Sequence, residues 1–134
     1  MKEKLRMNKH KVRKPKEDPI WTLHFDGSKC KLGASAGIEL INPKGKSLYA
    51  TYQLQFKCTN NIAKYESLIQ GLLFALEKGI TTLIIEGDSQ LVIQQVKLYS
   101  CNDKRLLAYR KRVWDLMDDF EALNIKSIPR RKNM

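Results

Sequence analysis

A chain of 134 residues, 43% of them hydrophobic and 29% charged, has the length of one domain and enough apolar material for a core. Its net charge of +11 and sequence pI of about 9.7 favour nucleic acid or another polyanion as partner, over the plainer alternative of a Lys-rich solvated surface. Three widely spaced cysteines without a C-x-x-C argue against a zinc site or disulfide scaffold and fit a reduced, intracellular setting, nucleus or cytoplasm, while no run is long enough to span a membrane and no apolar segment makes the basic N-terminus a signal peptide.

Residues 1–19, MKEKLRMNKHKVRKPKEDP, carry eight Lys or Arg against three acids and read as a basic disordered tail. KHKVRKPK suits nuclear import or nucleic-acid tethering; a plain linker from a longer precursor is the alternative. Order is expected over residues 20–134. In IWTLHFDGS, Trp21, Leu23 and Phe25 alternate with Thr22, His24 and Asp26, the pattern of a strand with Asp26 opposite the large apolar residues. GSKCKLGASAG reads as a loop into a second strand, GIELI. NPKG places Pro43 and Gly45 where a type I turn favours them, and a third strand is expected over 47–56. Three strands joined by short connections form an antiparallel meander.

TNNIAKYESL then opens a helix expected over 60–78, where Thr59, Asn60 and Asn61 can each cap orphan N–H groups. Tyr65, Leu68, Ile69, Leu72 and Leu76 recur at helical spacing, and Gly79 suits the stop. Lys64 and Glu66 point about 200° apart around the axis, so only one of them can face the packing partner. In TTLIIEGD the run Leu83, Ile84 and Ile85 suits a central strand buried on both faces and paired parallel with an earlier strand. Asp88 stands at its C-terminal end, where ligands gather in open α/β sheets. SQLVIQQVKLY reads as a short helix. KRLLAYRKRVWDLMDDFEAL reads as a longer one, with Leu106, Leu107, Tyr109, Val113, Trp114, Met117 and Phe120 on a broad apolar stripe. NIKSIPR is a last strand.

Asp26, followed by Gly27 and Ser28, and Asp88, followed by Ser89 and Gln90, are the chemistry-bearing candidates. DG alone is usually a turn and GDS alone usually a helix cap. Together, two carboxylates at neighbouring strand ends repel unless a cation sits between them. Magnesium, bound through oxygen ligands, is the first candidate. Paired magnesium ions about 4 Å apart serve phosphodiester hydrolysis, one activating water and the other stabilising the leaving oxygen.

FDGS, TNN, GDSQLV and SIPRRKN, in this order and spacing, resemble the type 1 ribonuclease H family and are most similar to the ribonuclease H-like domains of plant gypsy-type retrotransposons. The resemblance spans roughly residues 21–133. It implies an α/β, ribonuclease H-like fold: a five-stranded mixed sheet of order 3-2-1-4-5 with helices on both faces. It implies hydrolysis of the RNA strand of an RNA–DNA hybrid with two Mg2+ (or Mn2+), in the setting of a longer reverse-transcriptase polyprotein. The family's metal-binding aspartates fall on Asp26 and Asp88. Its nucleic-acid contacts fall on Gly27, Ser28, Asn60, Asn61, Ser89 and Gln90. Its first helix reads like TNNxAEYEAL, so the metal-binding glutamate is replaced here by Lys64. Its last aspartate lies a few residues beyond IPRxxN, past Met134, so the domain is expected to be C-terminally truncated, with two of four carboxylates present.

Glu66, on the far side of the helix, does not replace the missing carboxylate. In the family geometry Lys64 favours ionised Asp26 and Asp88 and opposes a divalent cation, held weakly or not at all; the alternative is a lysine bent outward to solvent on its long stem. Three functions follow: a hybrid-cleaving ribonuclease H domain with impaired activity, a non-catalytic module binding hybrid or duplex on the same fold, and a protein-interaction domain led by the tail. Lys29, Lys31, Arg110, Lys111, Arg112, Arg130, Arg131 and Lys132 are candidate phosphate contacts. Asn60, Asn61 and Gln90 are candidates for reading A-like shape and 2′-hydroxyls. His24 reads as a strand residue, and Trp21 and Trp114 as core.

Overall fold

The computed structural model describes residues 18–30, 33–54, 59–98 and 104–129. The expected tail up to residue 17, together with Lys31, Arg130, Arg131 and Lys132, lies outside the described residues. Asp18 lies within them and accepts a hydrogen bond from the Thr81 hydroxyl at 3.2 Å.

The elements run β1 (Ile20–Cys30), β2 (Gly33–Ile41), β3 (Ser47–Leu54), α1 (Asn60–Glu77), β4 (Thr82–Gly87), α2 (Gln90–Leu98), α3 (Lys104–Met117) and β5 (Ala122–Ser127). The strands form one five-stranded mixed sheet of order β3-β2-β1-β4-β5, the expected order. β1 pairs antiparallel with β2 and parallel with β4; β2–β3 is antiparallel and β4–β5 parallel. The parallel pairs require crossovers long enough to carry a helix, which α1 and the α2–α3 pair supply.

GSKCKLGASAG departs from the expected loop. β1 runs on to Cys30 and pairs with β2 from Gly33, with Gly27 opposite Ala36 and Ser28 opposite Ser35. The alternation is carried by small residues: Ala34 and Ala36 are buried, and Ala34 packs with Ala63 of α1. Small side chains leave the alternation weak in the sequence, and they are what admits α1 so close to the sheet. The NPKG turn closes as expected, with Gly45 N–H donating to the Asn42 carbonyl at 2.9 Å and Gly45 at φ +90°.

Thr59 is the N-cap of α1, its hydroxyl accepting from Ile62 N–H at 3.2 Å. The helix stops where Gly79 adopts φ +79°. α3 ends at Met117, earlier than the apolar stripe suggests. Phe120 is buried from the turn beyond it, and Leu107 is exposed. In β4 Leu83 and Ile85 are buried but Ile84 is half-buried.

That asymmetry holds across the sheet. Leu23, Phe25, Ile38, Leu40, Leu83, Ile85 and Ile125 share one face and pack with Tyr65, Leu68, Leu72, Val92 and Val113 of the helices. Each fully buried large side chain contributes about 1.5–3 kcal/mol. The opposite face, whose partner helix the resemblance also implies, carries Thr22, His24, Asp26, Glu39, Ile84, Glu86 and Lys126. All seven are half-buried or exposed. Among the described residues, the polar chemistry of the sheet therefore lies on this opposite face.

Candidate functional site

The β1–α1 junction builds the site. Gly27 is buried against the first turns of α1, in backbone contact with Ala63. The next helix residue, Lys64, is thereby delivered beside the preceding strand residue, Asp26. The Lys64 ammonium donates to the Gly27 carbonyl at 3.1 Å and lies 3.5 Å from Asp26 Oδ1. The lysine side chain is 19% exposed and the aspartate 68%. Lys64 thus faces inward on its stem, and the outward alternative is excluded. α1 has no acid in its first turn, and Lys64, one turn in, finds its partners off the helix in Asp26 and the Gly27 carbonyl.

Asp88 follows β4. With Asp26, His24, Glu86, Ile128 and Pro129 it borders a cleft of about 200 Å³. Parallel pairing of β1 with β4 brings the two aspartates to one cleft, and Ile128 N–H closes its edge by donating to the Gly87 carbonyl at 2.8 Å. Ser89 is buried as a helix cap, its hydroxyl accepting from Val92 N–H at 3.4 Å. Gln90 is exposed at the start of α2. Asn60 is exposed and Asn61 half-buried at the start of α1. Ser28 pairs through its backbone with Ser35. Asn60, Asn61, Ser89 and Gln90 thus mark the starts of α1 and α2, while Gly27 is packed inside.

A second polar group was not singled out by the sequence. His24 sits between two carboxylates, with Nε2 2.7 Å from Glu86 Oε1 and Nδ1 3.3 Å from Glu39 Oε1. Lys126 lies 3.6 Å from the other Glu86 oxygen, and the Ser47 hydroxyl donates to Glu39 Oε2 at 2.8 Å. The Ser47 hydrogen bond, aided by Tyr49 and His24, holds the Glu39 carboxyl below its ordinary range against the opposing effect of burial. His24 and Glu39 of this group border a groove of about 380 Å³ that also includes Asp26, Gly37, Tyr49 and Thr51. The one sequence signal was alternation, which puts Glu39, Glu86 and His24 on polar faces; only register sets Glu39 and Glu86 on either side of His24.

A divalent cation of the magnesium type needs several converging oxygen ligands. At Asp26 a carboxylate oxygen already faces an ammonium. Among the described residues no group of three or more His, Cys, Asp or Glu is placed to hold a metal ion. The residues present do not fit such an ion; the cation built into the site is Lys64. Of the other candidate phosphate contacts, Arg110 stacks on Trp114 with 4.4 Å from guanidinium carbon to ring centre. Lys111 pairs with Asp115 at 3.5 Å on an exposed surface. Trp114 is half-buried and donates to the Val96 carbonyl at 3.1 Å, and Trp21 packs against the core. Glu66 stands apart from the site; burial pushes its carboxyl up, with Arg112 opposing.

Comparison with known proteins gives a consistent result. A family model described as reverse transcriptase-like matches residues 24–134. Ribonuclease HI of Halobacterium salinarum is 33% identical over 113 residues, covering 82% of this chain and 57% of that protein. A bifunctional protein of Mycobacterium tuberculosis is 32% identical over 78 residues, 58% of this chain and 21% of its own length. The chain thus spans a little over half of the first relative and about a fifth of the second. The crystal structure of the Halobacterium ribonuclease H1 superposes with a TM-score of 0.78 at 30% identity, over 83% of this chain and 86% of that one. A ribonuclease H1 crystallised in complex with an RNA/DNA hybrid superposes at 0.74 and 24% identity, over 84% and 88%, a likeness of fold.

Proposed function

The chain belongs to the reverse transcriptase-like family and is a ribonuclease H-type domain, and from that premise we propose that it binds RNA–DNA hybrids with little or no hydrolysis of the RNA strand. The observation that carries this reading is the Lys64 ammonium, 3.5 Å from Asp26 Oδ1, where the family resemblance calls for a metal-binding glutamate. A fixed ammonium at that place satisfies Asp26 and disfavours a second, divalent cation beside it. Mg2+ or Mn2+ is accordingly held weakly, and two-metal hydrolysis is impaired.

Hybrid binding draws on other groups. Asn60, Asn61 and Gln90 stand at the starts of α1 and α2, suited to hydrogen bonds with ribose 2′-hydroxyls and base edges in a shallow minor groove. Gly27, packed against α1 with Ser28 next to it on β1, and Ser89, capping α2, support the positions of those helix starts. The net charge of +11 supplies sequence-independent attraction for phosphates. The hybrid bound by a ribonuclease H1 of the same fold supports the same class of partner. A retroelement origin within a longer reverse-transcriptase polyprotein, and an intracellular setting, complete the reading; the four motifs and the cysteine usage support them.

The test is cleavage of a labelled hybrid with Mg2+ or Mn2+. Little or no product is expected. Clear turnover that Asp26→Asn abolishes would overturn the impairment and restore an active hybrid endonuclease. The second reading, a binding module without any catalysis, is favoured by the same Lys64–Asp26 pair and separates from the first by residual cleavage at high Mn2+.

A further inference from the structure

The same pair carries a consequence for how nucleic acid is held, and it rests on the hybrid-binding reading. We infer that the Lys64 ammonium serves as the phosphate-facing charge of the Asp26–Asp88 cleft, so that this chain grips a nucleic-acid backbone without a divalent cation and gains nothing from one.

Asp26 and Asp88 border one cleft, and two carboxylates repel a phosphodiester unless a cation intervenes. With a carboxylate at position 64 the repulsion would be larger. With Lys64 a positive charge stands 3.5 Å from Asp26, at the border of that cleft. An ammonium has three N–H donors. The Gly27 carbonyl takes one at 3.1 Å and Asp26 Oδ1 lies at 3.5 Å, which leaves capacity for a phosphate oxygen. The side chain is still 19% exposed, so it is not sealed in the core. Lysine suits this use as a compact point charge for phosphate. Contact of Gly27 with Ala63 holds its backbone in place.

The experiment measures binding of a fluorescent RNA–DNA hybrid to the full chain by anisotropy across a salt series, in EDTA and in Mg2+ at matched ionic strength. The wild-type Kd in the two is expected to agree within about threefold, with log affinity falling linearly in log salt. Lys64→Met is expected to reduce that slope by about 0.9, the loss of one phosphate contact, and to weaken binding in EDTA. Lys64→Arg is expected to keep the slope. Asp26→Asn, at an exposed position, removes a repelling charge and is expected to tighten binding in EDTA, which keeps the test sound if Lys64→Met folds poorly. Binding at least about tenfold tighter in Mg2+ than in EDTA, an unchanged slope in Lys64→Met, or weaker binding in Asp26→Asn would overturn the inference while leaving hybrid binding in place. Absence of salt-dependent binding by the wild type under every condition would instead remove the hybrid-binding reading itself, and the inference with it.

Discussion

Gly27 of β1 and Ala63 of α1 are in backbone contact: a Cβ placed on Gly27 would fall 2.1 Å from the Ala63 carbonyl oxygen. That approach sets Lys64 beside Asp26. Because the obstacle is backbone, it cannot rotate away. Gly27→Ala is therefore expected to force strand and helix apart and to cost about 3 kcal/mol, at the upper end for overpacking. Urea unfolding of the variant checks this. A midpoint equal to that of the wild type would mean that the two backbones are not held in contact.

Reversing the charge at position 64 tests what the ammonium opposes. Lys64→Glu puts a carboxylate beside Asp26 in place of a cation. Divalent-metal affinity is expected to rise, measured as Mg2+ or Mn2+ binding by titration calorimetry. Without metal the variant should melt lower than the wild type, and metal should recover part of the difference. No gain in metal affinity would mean that position 64 does not govern the cleft.

Inside the core, the Tyr65 hydroxyl donates to Gln95 Oε1 at 2.7 Å, with both residues buried. Tyr65→Phe leaves that oxygen without its donor and is expected to cost about 1–3 kcal/mol. Pairing it with Gln95→Leu should recover part of the loss, because both polar partners are then gone. A thermal-melt double-mutant cycle reads the coupling, and strict additivity would refute it.

Two carboxyls give opposite pH signatures. Burial raises Glu66 above its ordinary 4.5, so the folded state binds its proton more tightly. Its stabilising contribution is complete below the ordinary value and is lost as pH rises through the folded one. Glu66→Gln is expected to raise the melting temperature at neutral pH and to make no difference in acid. Glu39 is lowered, chiefly by the Ser47 hydrogen bond, so its contribution is present above the ordinary value and lost as pH falls through the folded one. Ser47→Ala is expected to lower stability at neutral pH, with the gap closing in acid. Melting curves from pH 2 to 8, about the range over which carboxylates titrate, check both signs.

Much of the fold was legible because periodicity records burial. Leu23 and Phe25 alternate with polar residues in β1, the spacing of Tyr65, Leu68 and Leu72 marks α1, and Gly79 marks its end. The extension of β1 to Cys30 was not legible, because Ala34 and Ala36 are too small to give a strong alternation. The exposure of Leu107 was not legible for a related reason: an apolar residue next to a helical stripe looks like part of it until the neighbouring elements are in place. In the candidate site the motifs pointed to Asp26, Asp88 and Lys64, residues near each other only if β1, α1 and β4 pack in one way.

The amino-acid sequence by itself determined the succession of strands and helices, the basic character of the chain, and the lysine that stands where the family resemblance calls for a glutamate. These are local properties, written in composition and spacing. Only the tertiary structure decided that Lys64 faces Asp26 rather than solvent, and that His24 lies between Glu39 and Glu86. A long side chain takes its direction from what lies within its reach. A cross-strand cluster exists only once register has set its strands side by side.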